Sequence, residues 1–195
     1  MAPSSTSFWI SLTVTRPGPN LRQALAQVLG RGDCFLPGTS IRENNTRFSI
    51  RPQTGEDVVG IKVDGCLLGG QSGLACDAAF FVHIKAEKRL VIALVELKGG
   101  EVDHAFEQVL AVRDFFAGLV GCAKTSQHGK PLIDALGDDS PISHGARLLG
   151  VVVSKRGIPQ PDRLKVLAHR RGVKIVIKPD ATGITCSDLI EWQSA

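Results

Sequence analysis

The chain has 195 residues, 43% of them apolar and 22% charged, a composition that fits one globular domain, 1–195, with a sizeable core. Its apolar runs are of strand length, well short of the ~20 residues a membrane-spanning helix needs, and Met1 to Ser7 lacks the basic start and apolar centre of a secretory signal, so a cytoplasmic protein is expected. A net charge of +4 permits binding to polyanions without requiring it.

Residues 1 to 19 gather Ser, Thr and Pro around Phe8, Trp9 and Ile10, which suggests an edge strand ending at the Pro17 to Pro19 turn. Asn20 is a natural cap for a helix over Leu21–Leu29, where Leu21, Ala24, Leu25 and Val28 recur at helical spacing and Gly30 supplies the stop. A basic, turn-rich region from Arg42 to Lys62 holds a short strand at Arg47–Arg51 and a second at Val58–Val63. The glycine-rich stretch 69–73 lacks the spaced Gly and Lys-Ser/Thr of a phosphate loop and reads as a connection.

Two strands follow, broken by a polar turn at Ala86–Arg89, and then a helix over 102–116 that buries Val102, Ala105, Phe106, Val109 and Phe116. Glu101, His104 and Gln108 lie along another of its faces. The stretch 122–146 is long, polar and Gly-rich, and is expected to be a flexible loop able to cover a substrate. A strand at Leu148–Val153, a helix started by Pro161 and running to Arg171, and a strand at Val173–Lys178 close the order; Arg163, Lys165, Arg170, Arg171, Lys174 and Lys178 make this end basic. That end is either a solvated face or a phosphate-contacting patch.

Five cysteines are scattered without a Cys-x-x-Cys pair, so reduced, buried thiols are expected rather than a disulfide framework or a zinc site.

The chemistry concentrates in Asp77–Gln108. A turn centred on Glu87 and Lys88 pairs residues whose numbers sum to 175, which sets Asp77 opposite Lys98 and Ala79 opposite Glu96 on one face. Two carboxylates and an ammonium at the end of a greasy hairpin are costly unless solvated, paired or holding a metal. Hard cations such as Mg²⁺ or Mn²⁺ take carboxylate, carbonyl and water oxygens. Asp77, Glu96 and the backbone carbonyl of Leu97 are therefore the expected metal ligands, with Lys98 orienting a water or stabilising charge and Gln108 holding a phosphate or water. Set against this reading is a simple ion pair of Lys98 with Asp77 or Glu96 that closes a sheet edge. His83, of matching parity to Asp77, is expected to be a satisfied, partly buried histidine.

Asp77 at the start of one strand, Glu96-Leu97-Lys98 ending the next and Gln108 on the following helix resemble the PD-(D/E)XK nuclease superfamily. Its order of helix, three-strand meander, helix and strand corresponds to Leu21–Leu29, Val58–Val63 with the hairpin, Val102–Phe116 and Leu148–Val153. Cys76 stands where that family often has Pro, and Val112 where some exonuclease-like members carry Tyr. The resemblance implies an α/β, restriction-endonuclease-like fold, a central mixed β-sheet flanked by helices. It also implies a Mg²⁺- or Mn²⁺-dependent nuclease acting on DNA, an endodeoxyribonuclease of repair, restriction or defence, working alone, as a homodimer or under a regulatory protein partner. An upstream acid, Glu43 or Asp64, ranks below the core set. The alternative is a nuclease-fold protein that binds nucleic acid or a protein partner without cutting.

Overall fold

The computed structural model describes residues 20–69, 74–98, 102–121, 131–137, 146–155 and 161–194. The edge strand expected within 1–19 and the glycine-rich stretch at 70–73 lie outside them.

The first element is α1, Leu21–Leu29, whose Asn20 side chain accepts the Gln23 N–H while the Gln23 side chain accepts the Asn20 N–H, a complete capping box. Gly30 ends the helix in the left-handed region at φ 63°. A hairpin of β1 (Ser40–Glu43) and β2 (Thr46–Ile50) follows, then β3 (Glu56–Lys62) and a wide turn at Val63–Leu67. The long hairpin is β4 (Ala78–Ile84) with β5 (Arg89–Lys98). After it come α2 (Val102–Leu119), α3 (Pro131–Leu136), β6 (Ala146–Ser154), α4 (Pro161–Arg170), β7 (Lys174–Lys178), β8 (Ala181–Ile184) and α5 (Cys186–Ser194).

These strands form two mixed sheets. The larger has the order β3-β4-β5-β6-β7, antiparallel through β5 and parallel thereafter; the smaller, β1-β2-β8, joins an antiparallel pair to a parallel one. The fold is thus α/β with mixed sheets flanked by helices. Both faces of β4 and β5 are covered, which explains their continuous apolar sequences. Ala79, Phe81, Ile92 and Leu94 pack under α1, α2 and α3, whereas Ala78, Phe80, Val82, Ala93 and Val95 meet Phe48 and Ile50 of the smaller sheet and Leu189 of α5. Each fully buried Val, Leu, Ile or Phe among them contributes roughly 1.5–3 kcal/mol.

Gly150, at the middle of β6, lets α2 and β7 come close. A Cβ there would lie 2.7 Å from Ile175 Cγ1 and 2.9 Å from Val109 Cγ1.

Three expectations need correction. The hairpin register pairs Ala78 with Val95 and Ile84 with Arg89, a sum of 173 rather than 175. Lys88 turns at φ 49° and donates its N–H to Lys85 O, so the loop is Lys85–Lys88 and Arg89 joins the strand. Within 122–146, Pro131–Leu136 is the helix α3, anchored by buried Leu132 and Leu136; residues 122–130 and 138–145 of that stretch lie outside the description. Finally, Cys34 and Cys66 form a disulfide, while Cys76 and Cys186 are free and buried as expected.

Among the described residues, no helix is long and apolar enough to cross a membrane.

Candidate active site

The corrected register brings the two acids closer than the sequence reading did. Carried one step past Ala78 and Val95, it sets Asp77 opposite Glu96. Here the ladder changes character, because side chains replace main-chain partners. The Asp77 N–H donates to Glu96 Oε2 at 3.2 Å, and the Leu97 N–H donates to Asp77 Oδ2 at 2.6 Å. In a strand the N–H and C=O of one residue leave on the same side, so the Leu97 carbonyl also faces Asp77. The Leu97 side chain is buried among the apolar residues between the sheets.

Glu96 and Lys98 share a face by alternation and pair directly: Lys98 Nζ lies 2.9 Å from Glu96 Oε1, with the Glu96 side chain 1% exposed and that of Lys98 22%. Asp77, Glu96 and Lys98 thus meet as expected.

Gln108, buried on α2, donates from Nε2 to the Ala75 carbonyl at 3.0 Å, two residues before Asp77. Its Oε1 is buried and has no hydrogen-bond partner among the described residues. A lone acceptor of this kind costs about 1–3 kcal/mol, so its persistence marks a place for a donor or a cation.

Glu43, ranked low from sequence, joins the cluster. From the end of β1 it reaches Asp77, its carboxyl hydrogen bond and charge both acting on that residue. Asp64, the other upstream candidate, is exposed in the turn after β3, with its N–H on the Cys76 carbonyl. What makes Glu43 a neighbour is long-range packing: Phe48, in the β2 strand paired with β1, lies against Phe80 of β4 with ring centroids 5.0 Å apart. Local pattern carries no signal for that.

The electrostatics are those of a site with surplus negative charge. Burial, foremost, and then the Glu96 charge push the Asp77 carboxyl up to about 7; Leu97 N–H opposes the rise and Glu43 adds to it. Burial also raises Glu96, against the pull of Lys98. The Cys76 thiol, fully buried behind both acids, is held well above its ordinary range.

The donor set is all hard oxygen: the Asp77 and Glu96 carboxylates, Glu43 acting on Asp77, and the facing Leu97 carbonyl. That set fits Mg²⁺ or Mn²⁺. Asp77, Glu96 and Glu43 do not draw as close as the triad Asp33, Cys34 and Cys66, the group among the described residues whose His, Cys, Asp or Glu ligand atoms all lie within 4.8 Å of one another.

Other sequence expectations fall elsewhere. His83 shares the Asp77 face of β4 but is buried at the far end of the strand, where burial lowers its basicity. His104 is half-exposed and sits 3.7 Å from Glu107, while Glu101 lies outside the described residues. The basic end of the chain does not form one patch beside the acids. Arg147, Lys165, His169 and Lys174 line a cleft of about 700 Å³, and Arg147 is level with Val91, five residues or roughly 16 Å along the sheet from Glu96. Lys178 is level with Val153 and Leu97 but lies over the Trp192 ring at 4.4 Å. Comparison with family models, with curated proteins and with solved structures returned no match to this chain.

Proposed function

We propose that the chain is a metal-dependent nuclease that hydrolyses DNA phosphodiester bonds, an endodeoxyribonuclease of the restriction-endonuclease-like kind. The observation that carries this reading is the meeting of Asp77 and Glu96 one step past the hairpin ladder, with Lys98 on Glu96 and the orphaned Gln108 oxygen behind. Asp77, Glu96 and the Leu97 carbonyl would hold Mg²⁺ or Mn²⁺, with Glu43 as a further acid. When bound, the ion supplies Lewis-acid polarisation of a phosphate and a more acidic water.

The chain's own residues do the rest. Leu97 N–H fixes Asp77 Oδ2, and Asp77 N–H fixes Glu96 Oε2, so each carboxylate has one oxygen oriented by main chain. Lys98, whose Nζ lies 2.9 Å from Glu96 Oε1 at the partly exposed edge of the cluster, would hold a water or the charge that develops on phosphate. Gln108 Oε1 would accept a hydrogen bond from a water O–H, and its Nε2 keeps the Ala75–Asp77 segment in place.

A second reading rests on one observation, the 2.9 Å pair of Lys98 with Glu96. A closed ion pair at a sheet edge is what a nuclease-fold protein that binds without cutting would also keep. It leaves Asp77 and Gln108 Oε1 uncompensated, which favours the catalytic reading.

Purified protein with Mg²⁺ should nick duplex, single-stranded or branched DNA, and Glu96→Ala or Lys98→Ala should abolish the cutting. Equal activity in either variant sinks the assignment. Salt-sensitive DNA binding without cleavage would select the second reading.

A further inference from the structure

Among the described residues, a cluster of ligand-type side chains outside the carboxylate site lies beside the chain that leaves α1. Asp33, Cys34 and Cys66 place one oxygen and two sulfurs all within 4.8 Å of one another. Cys34 and Cys66 are joined there as a disulfide, with Cα atoms 5.6 Å apart.

Main-chain bonds hold both cysteines independently of the sulfur bridge. Cys34 O accepts the Lys62 N–H at 2.8 Å, Phe35 bridges Ile61, and Leu36 N–H donates to Gly60 O at 2.9 Å, so residues 34–36 run along β3. Cys66 sits in the Val63–Leu67 turn, closed by Leu68 N–H on Val63 O, and its own carbonyl accepts Arg31 Nη2 at 3.1 Å. Arg31 Nε also reaches Asp33 Oδ1 at 3.3 Å. Opening the disulfide therefore leaves two thiols still facing each other, with Asp33 alongside.

We propose that Asp33, Cys34 and Cys66 form a second metal site, for a thiophilic divalent cation such as Zn²⁺, that exists when the Cys34–Cys66 disulfide is reduced. Two thiolates and one carboxylate suit Zn²⁺ and not Mg²⁺, because soft sulfur ligands select against the hard ion. Three protein ligands leave a fourth tetrahedral position to water.

The chemistry balances with an external dithiol as reductant. It delivers two electrons and two protons, breaks the S–S bond to give two S–H groups, and leaves as its own disulfide. Zinc then displaces the two thiol protons to solvent as two Zn–S bonds form.

The site braces its surroundings in either state. Val63 N–H donates to Asp77 O at 3.0 Å and Asp64 N–H to Cys76 O at 3.2 Å, so the turn that carries Cys66 is bonded to the start of the strand that carries Asp77.

The test uses the full chain, reduced by a water-soluble phosphine (which leaves as its oxide, the oxygen coming from water), desalted without oxygen and titrated with Zn²⁺ against a chromogenic chelator. Reduced wild type should hold one zinc per chain and the oxidised protein none. Co²⁺ should show thiolate charge-transfer absorption in the reduced protein alone. Cys66→Ser should weaken zinc binding about 100-fold or more. Asp33→Asn, at a side chain 67% exposed and therefore harmless to folding, should weaken it about tenfold. Glu96→Gln should leave the stoichiometry unchanged, which separates this site from the carboxylates and from the nuclease reading. The proposal is overturned if reduced wild type holds no zinc, if Cys66→Ser or Asp33→Asn binds as tightly as wild type, or if Glu96→Gln loses the ion.

Discussion

Asp77 and Glu96 stand opposite each other one step beyond the last rung of the β4–β5 ladder, and each carboxylate is held by an N–H from the facing strand. The arrangement orients both acids at the cost of burying like charges together. Its consequences for titration, cation binding and stability can each be measured.

Because the folded pKa of Asp77 is about 7, above the 3.8 of an unperturbed Asp, its contribution to stability is fully present below pH 3.8 and is lost as pH rises through 7. Asp77→Asn keeps an oxygen for the Leu97 N–H and removes the charge. The variant should therefore be more stable than wild type at pH 8 without divalent ions. Discounted for solvent that reaches a half-buried carboxylate, the gain is on the order of 1–2 kcal/mol. Urea denaturation should show that gain shrinking as pH falls from 8 to 5; a constant difference across the range contradicts the assignment.

Protons and cations compete for the same Asp77 oxygen. Affinity for Mg²⁺ or Mn²⁺ should rise by up to about tenfold per pH unit below 7 and level off above it. Calorimetric titration from pH 6 to 8.5 reads this directly, and a flat profile would show that Asp77 does not ligate the ion.

Lys98 neutralises a side chain that is almost wholly enclosed. Lys98→Met leaves the Glu96 carboxylate without its cation at 2.9 Å and should cost about 2–4 kcal/mol in metal-free protein. The Glu96→Gln/Lys98→Met double variant should recover most of that loss. Additive losses in the cycle would mean that the pair contributes little, and the case for a structural ion pair would fall with it.

The parity of these residues was legible in the sequence because faces require only period-two alternation, and a register slip of two residues preserves it. The register itself was not, since closure at Lys85–Lys88 depends on Lys88 adopting φ 49°, a conformation no side-chain pattern specifies. The helix at Leu21–Leu29 announced itself through Asn20 and Gly30, whose capping chemistry is local. Glu43 and the Cys34–Cys66 pair depend instead on contacts between segments distant in sequence: β2 against β4, and Phe35 against Ile61. The basic residues of 163–178 looked like one patch in sequence. A helix and the following strand run in opposite directions, and that reversal groups Lys165, His169 and Lys174 in a cleft away from Glu96.

Gln108 allows stability and function to be separated. Replacing it with Leu removes the hydrogen bond to Ala75 O, worth about 1 kcal/mol, and also removes an orphaned buried acceptor that costs a comparable amount. The variant should unfold within about 1 kcal/mol of wild type while losing tenfold or more of cation-dependent cleavage. Unchanged cleavage would assign Gln108 to tethering Ala75 alone.

Gly150 tests whether the helix that carries Gln108 is held to the sheet by close approach. Gly150→Ala places a methyl 2.7 Å from Ile175 Cγ1 and 2.9 Å from Val109 Cγ1, both buried, and neither neighbour is a loose chain end that can swing aside. The clash should cost about 1–3 kcal/mol. Because Val109 is adjacent to Gln108 on α2, the strain should also displace the amide from Ala75 and lower cleavage more than the stability loss alone requires. Trimming the opposing side chain supplies the control: Val109→Ala destabilises on its own by opening a cavity, yet in combination with Gly150→Ala the two losses should be less than additive. Strict additivity in chemical denaturation would mean that α2 does not rest on β6 at this point, and that Gln108 is positioned by something other than the packing of the helix on the sheet.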